Sequence, residues 1–304
     1  MNKDNSLGLN ALLSEYKKQF ITLLSIVVIL FTTLMLFVNS TSKELSLISE
    51  ADNKVSIVEY DDSSKIVLNG KELMLRWGIK RNGPGKLPDA DPGVSQLFSK
   101  HNASYIGDTT KKTIYLSFDE GYENGYTGQI LDVLKKQKVQ AAFFITGPYL
   151  NTEVDLVRRM VEEGHIVGNH TVNHLSMPLQ TDSKIMSELT ELDSKYFEMF
   201  NRNMTFLRPP KGEYSERLLN LTDKMGYCTL FWSFAYDDWK TNVIRGKDYV
   251  INKILDNAHN GMVILLHAVS KDNAEALQDI IVKLRNAGYE FGSCEDLYKK
   301  TYGG

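Results

Sequence analysis

The side chains of this sequence that could do chemistry occur in five short clusters, each placed where an apolar, strand-like run ends. They comprise carboxylates, imidazoles and one guanidinium. In chain order the clusters are Asp119 with Glu120, His170 with His174, Arg208 to Gly212, Asp238 with Trp239, and His267. Because α/β barrels build their active sites at the carboxyl ends of strands, this arrangement predicts one enzymatic site.

The first two clusters suggest metal-assisted hydrolysis. His170 and His174 stand four residues apart, a spacing that a helical turn would place on one side, ready to hold a metal ion. Asp119 and Glu120 are adjacent, so one could ligate the metal while the other takes a proton from metal-bound water. Either pair alone is more often a chance spacing, a solvated turn or a helix cap. The presence of all five clusters favours the catalytic interpretation.

The last clusters could supply a general acid. His267 follows the apolar run 262–266, so its ring is expected to emerge at the end of a buried strand. A lone histidine there is more often a core residue. Asp238 favours a catalytic role for His267, because a nearby carboxylate raises the pKa of an imidazole and keeps it protonated near neutrality. Such a histidine can give a proton to a leaving amine.

The elements that would position these clusters alternate between short apolar runs and longer amphipathic ones. Helices are predicted at 153–163, ended by Gly164, and at 275–287, each with one apolar face. Seven β units joined by helices predict parallel strands, in a barrel or an open doubly wound sheet. The predicted strands are 113–118, 141–146, 165–168, 205–207, 227–233, 262–267 and 289–292.

The amino-terminal region predicts a membrane segment. Residues 20–38 are uncharged and almost wholly apolar, long enough to cross a bilayer as a helix. Lys17 and Lys18 precede this run, so the positive-inside rule places residues 1–19 in the cytoplasm and the remainder outside. A cleaved signal peptide is the competing interpretation. Residues 39–72 are expected to form a spacer, with a possible hairpin at Asn69-Gly70.

Composition limits the remaining function classes. The 304 residues carry a formal net charge of -3, without a basic stripe, which gives no reason to expect nucleic-acid binding. The two cysteines, Cys228 and Cys294, lie in no metal-binding spacing, and we expect both to be small core residues.

Taken together, the motifs resemble those of a known family. They are Ser117-Phe-Asp-Glu-Gly121, His170-Thr-Val-Asn-His174, Arg208-Pro-Pro-Lys-Gly212, Asp238-Trp239 and Leu265-Leu-His267. In order and spacing they resemble the five motifs of the NodB-homology polysaccharide deacetylases, carbohydrate esterase family 4. A closer resemblance is to the branch that makes muramic δ-lactam in spore cortex peptidoglycan. That resemblance rests on 121–127, 267–276, Trp77-Gly78 and Tyr105-Ile-Gly-Asp108, and it predicts a catalytic domain over 73–304 with its core at 113–297.

The resemblance implies a fold and a role for each motif residue. The fold would be a deformed (β/α) barrel of about seven parallel strands, preceded by the transmembrane helix. Asp119 would be the general base, oriented by Arg208, and His267 the general acid, tuned by Asp238. His170 and His174 would bind one divalent metal ion, zinc, cobalt, manganese or nickel, with Glu120 as the third ligand. The substrate would contact Tyr122, Pro210, Trp239 and Leu265, with backbone N–H groups near Tyr122 stabilising an oxyanion.

Two positions depart from the family pattern. Glu120 stands where the family usually has an aspartate, and Ala235 stands where many relatives have one. We expect both departures to loosen metal binding.

The predicted function is metal-dependent de-N-acetylation of peptidoglycan, most directly at N-acetylmuramic acid on the way to muramic δ-lactam. The alternatives are a deacetylase of N-acetylglucosamine, in peptidoglycan or chitin-like chains, and a membrane-tethered wall-binding relative without activity. A glycosidase would leave the histidine pair unexplained. Expected partners are peptidoglycan glycan strands and the membrane, with the catalytic domain outside the cytoplasm, secreted if the amino-terminal segment is cleaved.

Overall fold

In a computed structural model of the protein, residues 65–68 and 71–298 are described. The predicted membrane segment at 20–38 and most of the predicted spacer lie outside these residues. Within the described ranges, no helix combines the length and the apolar character that a bilayer crossing requires.

The described residues form thirteen β-strands and eight α-helices. The strands are β1 (Lys65–Leu68), β2 (Lys71–Arg76), β3 (Ile79–Lys80), β4 (Asp89–Ala90), β5 (Ala103–Ser104), β6 (Thr113–Glu120), β7 (Ala141–Ile145), β8 (Ile166–Asn169), β9 (Phe206–Leu207), β10 (Glu213–Tyr214), β11 (Cys228–Leu230), β12 (Met262–His267) and β13 (Glu290–Phe291). The helices are α1 (Val94–Lys100), α2 (Thr127–Gln137), α3 (Gly147–Thr152), α4 (Val154–Glu162), α5 (Asp182–Phe200), α6 (Glu216–Lys224), α7 (Lys247–Leu255) and α8 (Lys271–Asn286).

The main sheet is a curled half-barrel of parallel strands. Its order is β12-β6-β7-β8-β9-β11-β5, with β13 paired to the start of β6. All seven predicted strands are present in it, and β5 is an addition that the sequence did not predict. One boundary matters for chemistry. The strand predicted to end at Phe118 continues through Glu120, so Asp119 and Glu120 lie within β6 rather than after it.

Successive side chains of β6 face opposite sides of the sheet, as in any strand. Leu116 and Phe118 pack in the large apolar core that includes the buried faces of the helices. Tyr115 faces the other way, into a smaller core with Phe144 and Val263. The alternation therefore sends the two acidic side chains of β6 in opposite directions.

The helices bury the apolar faces that the sequence predicts. Val157 and Met160 of α4 are fully buried, and Gly164 follows with a φ of 82°, a left-handed conformation that glycine adopts without strain. Helix α8 begins at Lys271, four residues before its predicted start, because the Ser270 hydroxyl caps it by accepting a hydrogen bond from the backbone N–H of Asn273 at 3.3 Å. This earlier start places Asn273 in the first turn.

A small antiparallel sheet flanks the half-barrel. Strands β1 and β2 pair antiparallel, with Leu68 opposite Lys71. The predicted turn at Asn69-Gly70 lies outside the described residues. Strand β2 also pairs with β10, where Arg76 lies opposite Glu213 and Leu75 opposite Tyr214.

Cys228 and Cys294 are both buried thiols, as predicted. Burial raises the pKa of Cys294 to about 12, which keeps that thiol uncharged and unreactive.

Candidate active site

A cavity of about 760 Å³ opens at the carboxyl ends of the sheet strands. Four of the predicted site residues, Asp119, His170, His174 and His267, line it together. Tyr122, Trp239 and Leu265, predicted to contact substrate, also line it. Arg208 and Asp238 are buried and hydrogen-bonded to lining residues. Pro210 and Glu120 are buried and do not border the cavity.

Asp119 is held as an anion. Its Oδ1 accepts a hydrogen bond from Arg208 Nη1 at 2.8 Å, and its Oδ2 lies 3.6 Å from His170 Nε2. Burial by itself would raise the pKa of Asp119, but the charge of Arg208, with smaller effects from His170 and His267, lowers it below its ordinary value. The cavity therefore contains one ionised carboxylate able to accept a proton.

Arg208 connects three parts of the sheet. Its side chain is fully buried and stacks over the Phe144 ring, 4.1 Å from the ring centroid. Besides bonding Asp119, it donates from Nε to the Leu230 carbonyl at 3.0 Å and from Nη2 to the Ser117 hydroxyl at 2.8 Å. Ser117 in turn donates to the Ile264 carbonyl at 2.7 Å. The guanidinium is thus fixed from three directions behind the carboxylate.

The two imidazoles of the second motif are adjacent, but not in the way their spacing predicted. Residues 170–174 form an irregular loop, not a helical turn, because Thr171 and His174 adopt left-handed conformations with φ of 69° and 53°. Asn169 stabilises the loop by accepting a hydrogen bond from the Thr171 N–H at 2.8 Å. The His170 and His174 rings still meet, with centroids 4.9 Å apart.

Both imidazoles are suited to a metal ion. Nδ1 of His170 lies 2.7 Å from the Arg208 carbonyl, which can only accept, so Nδ1 carries the proton and Nε2 keeps its lone pair. Burial lowers the pKa of His170 to about 4 and also lowers that of His174. Neutral imidazoles are the form that binds divalent ions.

Glu120 does not lie beside His170 and His174. It lies on the opposite face of β6 from Asp119, is fully buried, and neither of its carboxylate oxygens has a hydrogen-bond partner. Within the described part of the chain, no group of three histidine, cysteine, aspartate or glutamate side chains is placed to hold a metal. The predicted three-ligand set is therefore not assembled, and the fit to a divalent ion rests on His170 and His174.

His267 is held by a network around Asp238. Nδ1 of His267 lies 2.7 Å from Asp238 Oδ1, and the His267 backbone N–H donates to Asp238 Oδ2 at 2.8 Å. Burial would lower the pKa of His267, but the charge and hydrogen bond of Asp238, with a contribution from Asp119, raise it above its ordinary value. The Trp239 ring, half exposed, lies 5.6 Å from the imidazole.

Comparison with known proteins agrees with this geometry. Residues 106–230 match the profile of the polysaccharide deacetylase family. Over 224 residues the chain is 44% identical to the peptidoglycan-N-acetylmuramic acid deacetylase PdaA of Bacillus subtilis, covering 73% of this chain and 85% of that protein. The chain belongs to the polysaccharide deacetylase family.

Members of this family hydrolyse amide bonds, and one solved structure and one further relative show how far the similarity extends. The solved structure of Bacillus subtilis PdaA, a family 4 carbohydrate esterase, matches with a TM-score of 0.72 and 44% identity, over 74% of this chain and 96% of that one. A peptidoglycan-N-acetylglucosamine deacetylase of Bacillus cereus is 32% identical over 194 residues, covering 62% of this chain and 89% of that protein.

The site of this polysaccharide deacetylase includes residues to which the sequence analysis gave no role. Asn273 is fully buried and donates from Nδ2 to Asp238 Oδ2 at 2.6 Å, while its Oδ1 accepts from the Tyr236 hydroxyl at 2.5 Å. Ser117 could have been found from the alternation of β6, which puts it on the same face as Asp119. Asn273 lies 35 positions from Asp238, and no pattern links the two.

Glu120 gives a prediction for folding stability. Burial, and then the negative charges of Glu123 and Asp119, raise the pKa of Glu120 well above its ordinary 4.5. Above pH 4.5 the unfolded chain therefore loses a proton that the folded chain keeps, so stability falls as pH rises, by at most about 1.4 kcal/mol per pH unit. Glu120→Gln is expected to remove that fall. Urea unfolding at several pH values from 5 to 8 measures how the free energy of unfolding depends on pH.

The matched control is Glu191→Gln, which changes an exposed helical glutamate paired with Lys195. It should keep the wild-type dependence on pH. If wild type and Glu120→Gln lost stability in parallel over this range, Glu120 would be ionised in the folded protein, contrary to its placement.

Proposed function

We propose that this protein removes the acetyl group from N-acetylmuramic acid residues of peptidoglycan, with a divalent metal ion held by His170 and His174. The observation that carries the proposal is that one cavity contains a carboxylate and an imidazole, each hydrogen-bonded to a buried group of opposite charge. Arg208 lowers the pKa of Asp119, and Asp238 raises the pKa of His267. Two groups whose pKa values are shifted in opposite senses are what a base and an acid need to work at the same pH.

Asp119 and His267 act at different steps in the hydrolysis of an acetamide. Asp119 takes a proton from the water whose oxygen attacks the acetamide carbon. The oxyanion that forms needs donors, which backbone N–H groups near Tyr122 are proposed to supply. As the carbon–nitrogen bond breaks, His267 gives the proton on Nε2 to the sugar nitrogen, because Nδ1 is engaged with Asp238. The products are acetate and the free amine.

The metal ion, when bound, supplies polarisation of the acetamide carbonyl and of a water molecule. The donors that favour it are the two neutral imidazoles, and Arg208 contributes through its carbonyl, which fixes the His170 tautomer. The identity of the ion is not determined by two imidazoles, which suit zinc, cobalt, manganese and nickel alike.

The relatives support the choice of sugar. The N-acetylmuramic acid deacetylase is 44% identical to this chain, against 32% for the N-acetylglucosamine deacetylase. An amine freed on muramic acid lies close to the lactyl carboxylate of the same sugar, so we extend the proposal to formation of muramic δ-lactam in spore cortex. We also propose that residues 20–38 anchor the chain in the membrane with the catalytic domain outside.

Acetate release from purified glycan strands by the full-length protein tests the proposed chemistry. The assay is run on the protein as purified, after chelator treatment, and after adding back zinc, cobalt, manganese or nickel singly. We expect release that chelator abolishes and at least one ion restores. Release that is unaffected by thorough chelation would rule out the metal requirement. No release with any ion, from folded protein, would favour a wall-binding relative without activity.

Asn273 gives a second prediction. Its amide is fixed by Tyr236 so that Nδ2 faces Asp238, which in turn holds His267. Asn273→Ala is expected to lower kcat/KM by about tenfold, the lower range for loss of a buried hydrogen bond in a catalytic network. Because the pKa of His267 should fall when Asp238 is less well held, the alkaline limb of the pH profile should move to lower pH.

The pH profile separates positioning from a purely structural effect. The charged groups near His267 are Asp238, Asp119, Arg208 and His174, and Asn273→Ala removes none of them. Tyr236→Phe should shift the same limb in the same direction but less, since Asn273 keeps its bond to Asp238. A loss of activity with an unmoved alkaline limb would show that Asn273 acts only in folding.

A further inference from the structure

The loop that carries the two imidazoles has a conformation that its own residues do not favour. Thr171 and His174 both have left-handed backbones, with φ of 69° and 53°. That region is uncommon for any residue with a Cβ and least favourable for a β-branched residue such as Thr171. The conformation therefore depends on contacts from the surrounding structure.

Side-chain oxygens accept hydrogen bonds from three backbone N–H groups of this loop. Asn169 Oδ1 accepts from the Thr171 N–H at 2.8 Å, and Thr171 Oγ1 accepts from the His174 N–H at 3.0 Å. The third acceptor comes from helix α5, where Glu188 Oε2 accepts from the Asn173 N–H at 2.8 Å. Glu188 Oε1 also accepts from Asn173 Nδ2 at 2.7 Å. One carboxylate thus holds the backbone and the side chain of the residue next to His174.

Helix α5 also holds the loop at its other end. The fully buried Asn169 donates from Nδ2 to the Leu189 carbonyl at 3.0 Å. Two adjacent helix residues, Glu188 and Leu189, therefore fix the residues just before His174 and just before His170. A helix of 19 residues is a firm support for such a loop.

Glu188 is held as an anion away from the cavity. Its side chain is buried, and Oε1 lies 2.7 Å from Lys184 Nζ. Burial by itself would raise the pKa of Glu188, but hydrogen bonds from Lys184 and Asn173 lower it below its ordinary value. Both oxygens of the carboxylate are then strong acceptors. Asn173 lines the cavity and Glu188 does not, so Glu188 acts on the site through Asn173.

We propose that Glu188 is a positioning residue that holds the 170–174 loop in its left-handed conformation and so keeps His174 beside His170 for one divalent ion. This inference rests on the metal binding in the proposed function. Among the described residues, no hydrogen bond holds the His174 ring, so the place of that ring depends on its backbone.

His170 is held by other contacts. Its backbone N–H donates to the Ile145 carbonyl at 2.9 Å, and its Nδ1 donates to the Arg208 carbonyl at 2.7 Å. Loss of the Glu188 contact therefore displaces His174 and leaves His170 in place. The site then keeps one imidazole of the two.

Binding of zinc, cobalt, manganese and nickel, each added singly to the full-length protein, tests this role without any turnover. Competition with a chromophoric chelator gives the Kd, and the ion that wild type binds most tightly is used for the variants. In Glu188→Gln the amide nitrogen faces either the Asn173 N–H or Asn173 Nδ2, so a donor meets a donor in both orientations. We expect Kd to rise about tenfold, the lower range for loss of an outer partner of a metal site.

Asn173→Ala gives a second variant, at an exposed position where the fold is less at risk. It removes the side-chain donor and keeps the backbone N–H, so Kd should rise by less than in Glu188→Gln. In the double variant the glutamine oxygen can accept from the backbone N–H without a donor opposite its nitrogen. The double variant should therefore bind the ion at least as tightly as Glu188→Gln alone.

The matched control is Glu191→Gln, which changes an exposed glutamate of the same helix and should keep the wild-type Kd. Folded Glu188→Gln with the wild-type Kd, or losses of affinity that multiply in the double variant, would overturn the role of Glu188. Urea unfolding with chelator present reports any loss of stability separately from the Kd. Wild type that binds none of the four ions would instead overturn the metal site of the proposed function, so the two failures are distinguishable.

Discussion

Asp119→Asn is expected to lower kcat/KM for acetate release about a thousandfold, within the range for loss of a general base. The amide has nearly the shape of the carboxylate and can still accept a hydrogen bond from Arg208 through its oxygen. It cannot take a proton from the attacking water. Initial rates of acetate release on glycan strands, with binding measured separately, should show that turnover is lost while the strands still bind.

Asp237→Asn is the matched control, because Asp237 is a nearby, partly exposed carboxylate that pairs with Lys240 and Arg245. It should stay within a few-fold of wild type. The pH dependence adds a second check. The lowered pKa of Asp119 predicts that its protonation does not limit wild-type activity as pH falls to about 4, where His170 takes up a proton and loses the form that binds a metal ion. Activity in Asp119→Asn above a tenth of wild type would remove Asp119 from the mechanism.

Arg208→Met should have the largest effect on folding, with a loss of about 3 to 5 kcal/mol in the free energy of unfolding. The guanidinium is fully buried, and its removal leaves Asp119 as an uncompensated buried charge and the Leu230 carbonyl and Ser117 hydroxyl without their donor. Urea unfolding at neutral pH measures this loss. Without Arg208, burial dominates the pKa of Asp119 and raises it, so the acidic limb of any remaining activity should move to higher pH.

The double variant Asp119→Asn with Arg208→Met tests the reason for that loss. Removing both partners leaves no unpaired charge, so the double variant should be less destabilised than the sum of the two single variants. Additive losses would mean that Arg208 stabilises the fold by packing against Phe144 and not by balancing Asp119.

The sequence predicted the fold well where burial was uniform. Strand β12 has the predicted bounds, 262–267. A continuous apolar run of this length is typical of a parallel strand that is buried on both faces. The strand predicted to end at Phe118 is too short, because two adjacent carboxylates ordinarily end a buried strand. Arg208, a buried partner 89 residues away, keeps Asp119 in the strand, and sequence spacing carries no sign of that contact.

The structure brings most of the predicted site residues to one cavity, although not in the predicted geometry throughout. The spacing of His170 and His174 predicted a helical turn, whereas a loop with left-handed residues brings their rings together. The family resemblance suggested Glu120 as a ligand, and here the alternation of β6 is decisive, since neighbouring strand residues cannot face the same cavity. A predicted strand that included Asp119 and Glu120 would have placed Glu120 on the opposite face of the sheet from Asp119.

Mass analysis of the sugars after reaction tests the central proposal most directly. Glycan strands are treated with the full-length protein, digested to disaccharides, and compared with strands treated with the Asp119→Asn variant. We predict that muramic acid loses its acetyl group, or appears as the lactam, only with wild-type protein, while glucosamine stays acetylated. Acetyl loss confined to glucosamine, or strands unchanged by folded, metal-supplied wild type, would contradict the proposal.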